Sequence, residues 1–309
     1  MILQRWGLFS LLFAIFGITA CRDERPVASA DSAAIHKAAR PALTGSAGTT
    51  GWDSTAGPMM VVATSRGSPD VAIILPGLTD SALAATSHFE LAAVANAPIE
   101  LFGLRGLAGN SMLQIVSRSA NATGCVSWPI GRLTRMPAID WRVGFEEGRV
   151  TGLPLDSLEG MSSSDSAQFV SSIVRAANSL SNEGSTAFAG IPYFVRKGYQ
   201  LALPPSSILI AEVVRRINEE ANPREEHLLL LAERSSGDAP YRVGFYKRSA
   251  GAEESLETSE ILAAVRFVLS SRLAFAITFD YEDGGKVGLL ERVGVGTWRI
   301  VWRSAYTDC

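Results

Sequence analysis

Leu273-Ala274-Phe275-Ala276-Ile277-Thr278-Phe279-Asp280-Tyr281 decides how this chain is read. Large apolar side chains stand at 273, 275, 277, 279 and 281, with smaller or polar ones between them. A period of two is the signature of a β-strand, whose successive side chains point to opposite faces. It predicts one face in a core and the other towards water. The pattern recurs in Tyr193 to Leu203, in Tyr241-Val243-Phe245 and in Trp298-Ile300-Trp302. Ile208 to Val214 and Leu228 to Ala232 are continuous apolar runs, as expected of central strands covered on both faces. Ile261 to Leu269 fits a helix by spacing and a strand by its neighbours, and is read as a strand. An antiparallel meander of about eight strands therefore fills 191–303. It must close as a barrel, stack as a sandwich or repeat in propeller-like blades to manage its edges.

Shorter apolar runs lie upstream: Met59 to Thr64, Val71 to Leu75, Phe89 to Val94, Ile99 to Gly103, Met112 to Ser117 and Trp141 to Phe145. Gly67-Ser68-Pro69-Asp70, Asn96-Ala97-Pro98 and Gly109-Asn110 carry turn chemistry between them. These too read as antiparallel strands. Ser162 to Leu180 differs. Phe169, Val170, Ile173, Val174, Ala177 and Leu180 fall on one helical face, and Ser162 with Asp165 three residues on resembles a capping box. This helix is expected to cover a sheet or to join two β units. The fold class is mainly β (β-rich α+β), in five parts: 1–20, 21–57, an N-terminal β domain over 58–150, a helical connector over 151–185 and a C-terminal antiparallel β domain over 186–309.

The N-terminal parts set the compartment. Met1 to Trp6 carries one positive charge, Arg5; Leu8 to Ile18 is almost wholly apolar; and small residues precede Cys21. That order is charged, apolar, then small-residue cleavage site, the order of an export signal. The apolar run is shorter than the roughly 20 residues a spanning helix needs, and Arg22 to Arg25 are all charged. Ile18-Thr19-Ala20-Cys21 resembles the lipobox of bacterial lipoproteins. The resemblance implies diacylglyceryl transfer to the Cys21 thiol, cleavage before it and acylation of the new N-terminus. Each buried CH₂ of an acyl chain adds about 0.8 kcal/mol of membrane affinity. Arg22 stands where an inner-membrane retention signal would have aspartate, so the expected location is the cell envelope, on the periplasmic face of the outer membrane if the cell is Gram-negative. Arg22 to Pro58, rich in Ala, Ser, Thr and Gly, reads as a flexible tether.

Composition agrees with an exported globular body. Hydrophobic residues make up 47% and charged ones 19%, too apolar for a disordered chain. With 28 basic against 31 acidic residues there is no basic excess for nucleic acid. Cys125 and Cys309 remain beside Cys21. In an oxidising space they are candidates for one disulfide, with two unrelated buried thiols as the alternative.

Motifs that carry chemistry are sparse. Asp280-Tyr-Glu282-Asp283-Gly284-Gly285-Lys286-Val-Gly288 resembles a degenerate FG-GAP-type repeat loop, which implies a calcium site at Asp280, Glu282 and Asp283. Gly284 and Gly288 replace further carboxylates, and calcium wants six to eight oxygens, so a hairpin turn is the simpler reading. Val71 to Ser81 is similar to the first strand and oxyanion turn of an α/β-hydrolase, but no Gly-x-Ser-x-Gly elbow accompanies it. His88 and His227 flank apolar strands and read as strand-edge surface residues, and His36 lies in the tether. Asp156 and Glu159 are a candidate acid–base pair or simply charges placed ahead of a helix. Glu212, Arg215, Arg216, Glu219, Glu220, Arg224, Glu225 and Glu226 read as a solvated strand end and turn, with a partner-binding ridge as the alternative. Trp128, Trp141, Trp298 and Trp302 are expected in the core.

The sequence thus predicts a lipid-anchored envelope lipoprotein with a non-catalytic binding or structural body and no cofactor. Its partners would be the bilayer, through acylated Cys21, and another envelope protein or the cell wall. An envelope hydrolase with a dispersed site is the alternative.

Overall fold

The computed structural model describes residues 51–86, 88–118, 126–180, 186–218, 223–237, 239–252, 255–281 and 283–308. Cys21, Cys125, Cys309, Glu219, Glu220 and Glu282 lie outside them.

The first strands are β1 (Met60–Ala63), β2 (Asp70–Ile74), β3 (Pro98–Gly103), β4 (Gly106–Ser117), β5 (Ile130–Leu133) and β6 (Val143–Glu146), with a short helix α1 (Asp80–Ala85) after β2. They close into an antiparallel barrel in the order β1-β2-β5-β4-β3-β6, with β6 returning to β1. Six strands enclose less space than the eight that just accommodate ordinary side chains. Glycine relieves the crowding at Gly144, where a Cβ would come within 2.7 Å of Ile99 and Val61 side chains. Met60, Ile73, Leu101, Leu113, Val143 and Phe145 fill the core.

β7 (Val150–Leu153) and β8 (Asp156–Ser157) lead to the helix α2 (Ser163–Ser179). The eight expected strands follow as β9 (Phe194–Leu203), β10 (Ser206–Ile217), β11 (Arg224–Arg234), β12 (Arg242–Ala252), β13 (Thr258–Phe267), β14 (Leu273–Tyr281), β15 (Gly284–Gly294) and β16 (Thr297–Arg303). They form two five-stranded sheets, β12-β11-β10-β9-β8 and β16-β15-β14-β13-β7. The two sheets bury a common core: Tyr199, Leu201, Ile208, Ile210, Leu229 and Leu231 from the first meet Ile261, Phe275, Ile277, Phe279, Leu290 and Trp298 from the second. This is the sandwich solution to the edge problem.

Each sheet has a second covered face. Phe169, Ile173 and Ala177 of α2 pack on Leu209, Ala211, Val213, Leu228 and Leu230. On the far side Val265, Phe267, Ala274, Ala276, Leu289 and Trp302 join the barrel core. The order of layers is barrel, sheet, sheet, helix, and residues of 58–150 and 186–309 share one of the three cores. β10 and β11 are central, as their continuous apolar runs predict.

Three expectations change. The 273–281 strand does not show a face to water; its alanines at 274 and 276 are fully buried against the barrel, and its large residues face the other sheet. Phe89 to Val94 is a series of turns, not a strand. Phe89, Leu91 and Val94 all point into the barrel core, and Val94 and Ala95 N–H donate to Leu91 O within the segment. Gly109-Asn110 lies inside β4, paired with Leu101 and Glu100, not in a turn.

Candidate functional site

β10 and β11 carry most of the buried ionisable side chains among the described residues: Glu212, Arg215, Glu225, Glu226, His227 and Glu233. The antiparallel register sets Arg215 opposite Glu226 and Arg216 opposite Glu225. This stretch is not a solvated strand end: Glu212, Arg215, Glu225 and Glu226 are all buried. The alternation of the strand sends the two pairs to opposite faces.

On the helix side, Arg215 Nε donates to Glu226 Oε2 at 2.6 Å, the Tyr193 hydroxyl donates at 2.7 Å and Arg248 Nη1 lies at 2.9 Å. Arg215 also donates to Phe188 O at 2.8 Å and stacks 4.6 Å from the centre of the Tyr193 ring. Arg248 reaches Leu180 O at 2.7 Å, which ties β12 to the end of α2. Burial alone would raise the Glu226 carboxyl. The three donors outweigh it and hold Glu226 below the usual carboxylate range.

On the inter-sheet side lies His227, which is buried at 4% exposure and so is not the surface residue its position suggested. Its Nδ1 is 2.9 Å from Glu212 Oε1 and its Nε2 is 2.5 Å from Glu225 Oε2. Arg216 pairs with the same Glu225, and Arg196 reaches Glu212 at 3.4 Å. A carboxylate on each nitrogen favours the imidazolium, which donates twice. Burial lowers the His227 pKa, but the two carboxylates outweigh burial and raise it. Beside it, burial and the Arg303 guanidinium push the Lys247 ammonium down to about 7. The Glu257 carboxylate touches Lys247 and acts in the opposite sense. The space among Glu212, His227, Lys247 and Glu257 is about 10 Å³, room for no more than one water. No substrate enters there.

Among the described residues, besides an opening of about 470 Å³ beside Trp52, Pro58, Pro76 and Arg149, two openings lie against the sandwich. One, of about 670 Å³, lies at the hairpin end of the sandwich among Pro204, Pro205, Arg266, Arg272, Arg292, Val293 and Val295. Its arginines are mostly committed: Arg272 bridges Asp53 at 2.7 Å and Glu291 at 2.9 Å, and Arg292 pairs with Glu233.

The other is a cleft of about 460 Å³ between the first turns of α2 and the outer face of β9–β11. We regard it as the candidate site. The Ser162 side chain caps α2, accepting from Asp165 N at 3.2 Å and donating to Asp165 Oδ2 at 2.7 Å. That cap fixes the helical wall, from which Asp165 and Gln168 line the opening. The sheet wall presents Asp156, Gln200, Arg234 and Tyr241. Gln200 Nε2 donates to Ser207 Oγ at 3.0 Å, and the Tyr241 hydroxyl meets the same oxygen at 3.1 Å. Arg234 lies 4.8 Å from the Tyr241 ring centre, donates to Gly237 O at 3.1 Å, and has a buried Nε with no acceptor among the described residues.

Of the residues singled out from the sequence, Asp156 lines this cleft and Glu159 does not. His88 is exposed, and all four tryptophans, 128, 141, 298 and 302, are buried. Asp280 accepts the Thr278 hydroxyl at 2.6 Å, and Asp283 accepts the Tyr306 hydroxyl. Both stand at the β14–β15 hairpin, where Tyr281 pairs with Gly284. Among the described residues no group of three His, Cys, Asp or Glu is placed to hold a metal. Gln200, Arg234 and Tyr241 were not picked out from the sequence. The available signal was Gln200 itself, a polar residue in mid-strand on a face that the helix covers.

Comparison with protein-family models, with curated proteins and with solved structures finds no match to this chain.

Proposed function

We propose that this protein is a bacterial envelope lipoprotein, held to the membrane by acylated Cys21, whose β body is a non-catalytic binding module. The observation that carries the reading is Ile18-Thr19-Ala20-Cys21, placed after an apolar run and before a Ser-, Ala- and Gly-rich tether. In this reading the acyl chains supply the attachment; among the described residues no helix is long and apolar enough to cross a membrane. The geometry of the body supports binding over catalysis. A general base needs a free lone pair within reach of substrate. The one buried histidine of the described residues has both nitrogens occupied by carboxylates, in a space too small for substrate. The openings against the sandwich are lined in part by residues held in hydrogen bonds and ion pairs. The expected location is the periplasmic face of the outer membrane in a Gram-negative cell, with another envelope protein or the cell wall as partner.

Cys21→Ser tests the anchor. The wild-type protein should incorporate a labelled fatty acid and sediment with the envelope, and the variant should do neither. A variant that stays in the pellet as before overturns the reading.

A further inference from the structure

We propose that the cleft between α2 and β9–β11 binds a neutral saccharide, gripping adjacent hydroxyl groups. The proposal rests on the reading of the body as a binding module and names the ligand class of that site.

Size permits it: about 460 Å³ lies within the range of small-ligand sites. The charge pattern then selects the chemistry. Asp156 and Asp165 face the opening together with Arg234. A phosphate or carboxylate would meet two carboxylates, and a cationic ligand would meet the guanidinium. An apolar ligand would strip water from these groups and from Gln168, Gln200 and Tyr241 without replacing it, at about 1–3 kcal/mol for each group left unpaired. A sugar hydroxyl both donates and accepts, so it can satisfy a carboxylate, an amide and a guanidinium in turn. Carboxylate, carboxamide and guanidinium are also planar and two-pronged, and two-pronged groups match pairs of neighbouring donors or acceptors.

The wall is ordered before any ligand arrives. Gln200 is pinned through Ser207, which also meets the Tyr241 hydroxyl, and Arg234 is laid along the Tyr241 ring. Gln200 therefore keeps its carbonyl oxygen for a ligand while its amide nitrogen is anchored. The Arg234 guanidinium supplies the cationic charge of this wall, its Nε buried against the protein and its Nη1 held by Gly237 O. Gln168 is exposed on the helical wall and presents a carboxamide that can both donate and accept. Strands and a capped helix, not loops, hold these groups, so little ordering remains to oppose binding.

The saccharide could come from the cell-wall glycan or from another polysaccharide, and the probes separate the two. The acylated full chain, kept in a non-glycosidic detergent, is titrated calorimetrically with β-1,4-linked N-acetylglucosamine oligomers, with a neutral hexose oligomer and with a hexose phosphate. Saturable binding of one neutral oligomer is expected, the first pointing to wall glycan and the second to another polysaccharide. Gln200→Ala should weaken it about five- to tenfold, the loss of roughly one hydrogen bond. Exposed Asp156→Asn should also weaken it, without affecting folding, while Arg266→Ala in the other opening should not. No binding of any neutral oligomer at millimolar concentration overturns the proposal. So does binding of the hexose phosphate alone, or full affinity in both cleft variants. Sedimentation of wild-type and Cys21→Ser chains in parallel shows whether the anchoring reading stands or falls separately.

Discussion

Glu225 and Glu226 are neighbours in the chain, yet their carboxylates serve two networks on opposite faces of β11. Glu226 is clamped by Arg215, Tyr193 and Arg248 beneath the helix; Glu225 is clamped by Arg216 and His227 between the sheets. The cross-strand register makes this work: two arginines meet two glutamates in antiparallel order, and each arginine finds its partner on its own face.

Removing one charge of the deeper pair should be severe. Arg215 is 2% exposed and Glu226 0%. Glu226→Gln leaves a buried guanidinium without its main counter-charge and should cost about 3–5 kcal/mol. Replacing the whole charged cluster, Arg215→Met and Arg248→Met with Glu226→Leu, should recover much of that loss. Urea unfolding midpoints measure both, and a Glu226→Gln midpoint equal to wild type would contradict the assignment.

Stability should depend on pH in a defined window. The lowered Glu225 and Glu226 contribute stability that is present above their ordinary value of 4.5 and lost as pH falls through their folded values. The raised His227 contributes stability that is present below its ordinary value of 6.5 and lost as pH rises through its folded value. These groups together favour the fold most between 4.5 and 6.5. The stability gap between wild type and His227→Gln should be widest below pH 6.5 and should narrow above it. A gap that does not vary with pH would show that folding leaves the imidazole's proton affinity unchanged, and one that widens above pH 6.5 would show the ring buried neutral.

The helix wall can be loosened without touching the sheet. Ser162→Ala removes the side-chain cap of α2 and should cost about 1 kcal/mol. Phe169→Ala removes the buried ring that locks α2 onto Gly198, whose ideal Cβ position lies 2.5 Å from that ring. It should cost about 3–5 kcal/mol. Amide exchange along 163–179 should rise more for the second variant than for the first, and equal protection in both would refute the packing account.

One covalent link is also open to test. Asp308 N–H donates to Val126 O at 3.2 Å, and Val126 N–H donates to Asp308 Oδ1 at 2.5 Å. Each of these residues adjoins a cysteine in sequence, Cys125 and Cys309. Non-reducing peptide mapping should recover one peptide joining the two, a closure worth about 5 kcal/mol on the chain-entropy model. Two free thiols in the exported protein would rule it out.

The sequence was most legible where burial follows a simple period. The strands from β9 to β16 and the helix α2 can be located from alternation and from one capped apolar stripe, but bulged pairing switches faces within β9 and β12: Val195 and Val243 face the helix, Leu201 and Phe245 the other sheet. One barrel strand and the edge strand of the middle sheet were harder. β5 is Ile-Gly-Arg-Leu and β7 is Val-Thr-Gly-Leu, four residues each, with glycines where the narrow interior or a close crossing leaves no space. Such strands show no apolar alternation to detect. The Arg–Glu ladder was misread for the opposite reason. Eight charges between 212 and 226 look solvated until the register sets Arg215 across from Glu226 and Arg216 across from Glu225, with Glu212 reaching His227 diagonally. The cleft was hidden because its residues come from β8, β9, β11, α2 and the segment before β12, a convergence that only folding produces.

The middle sheet has no dispensable side. One of its faces belongs to the barrel core and the other to the inter-sheet core, so the barrel and the outer sheet both depend on it for their covering. A cut in the Glu147–Arg149 link would therefore not release two self-sufficient modules; each fragment would carry a bare hydrophobic wall and stick to whatever it met. The architecture stands or unfolds as a single cooperative block, and whatever fastens it to a surface fastens all of it.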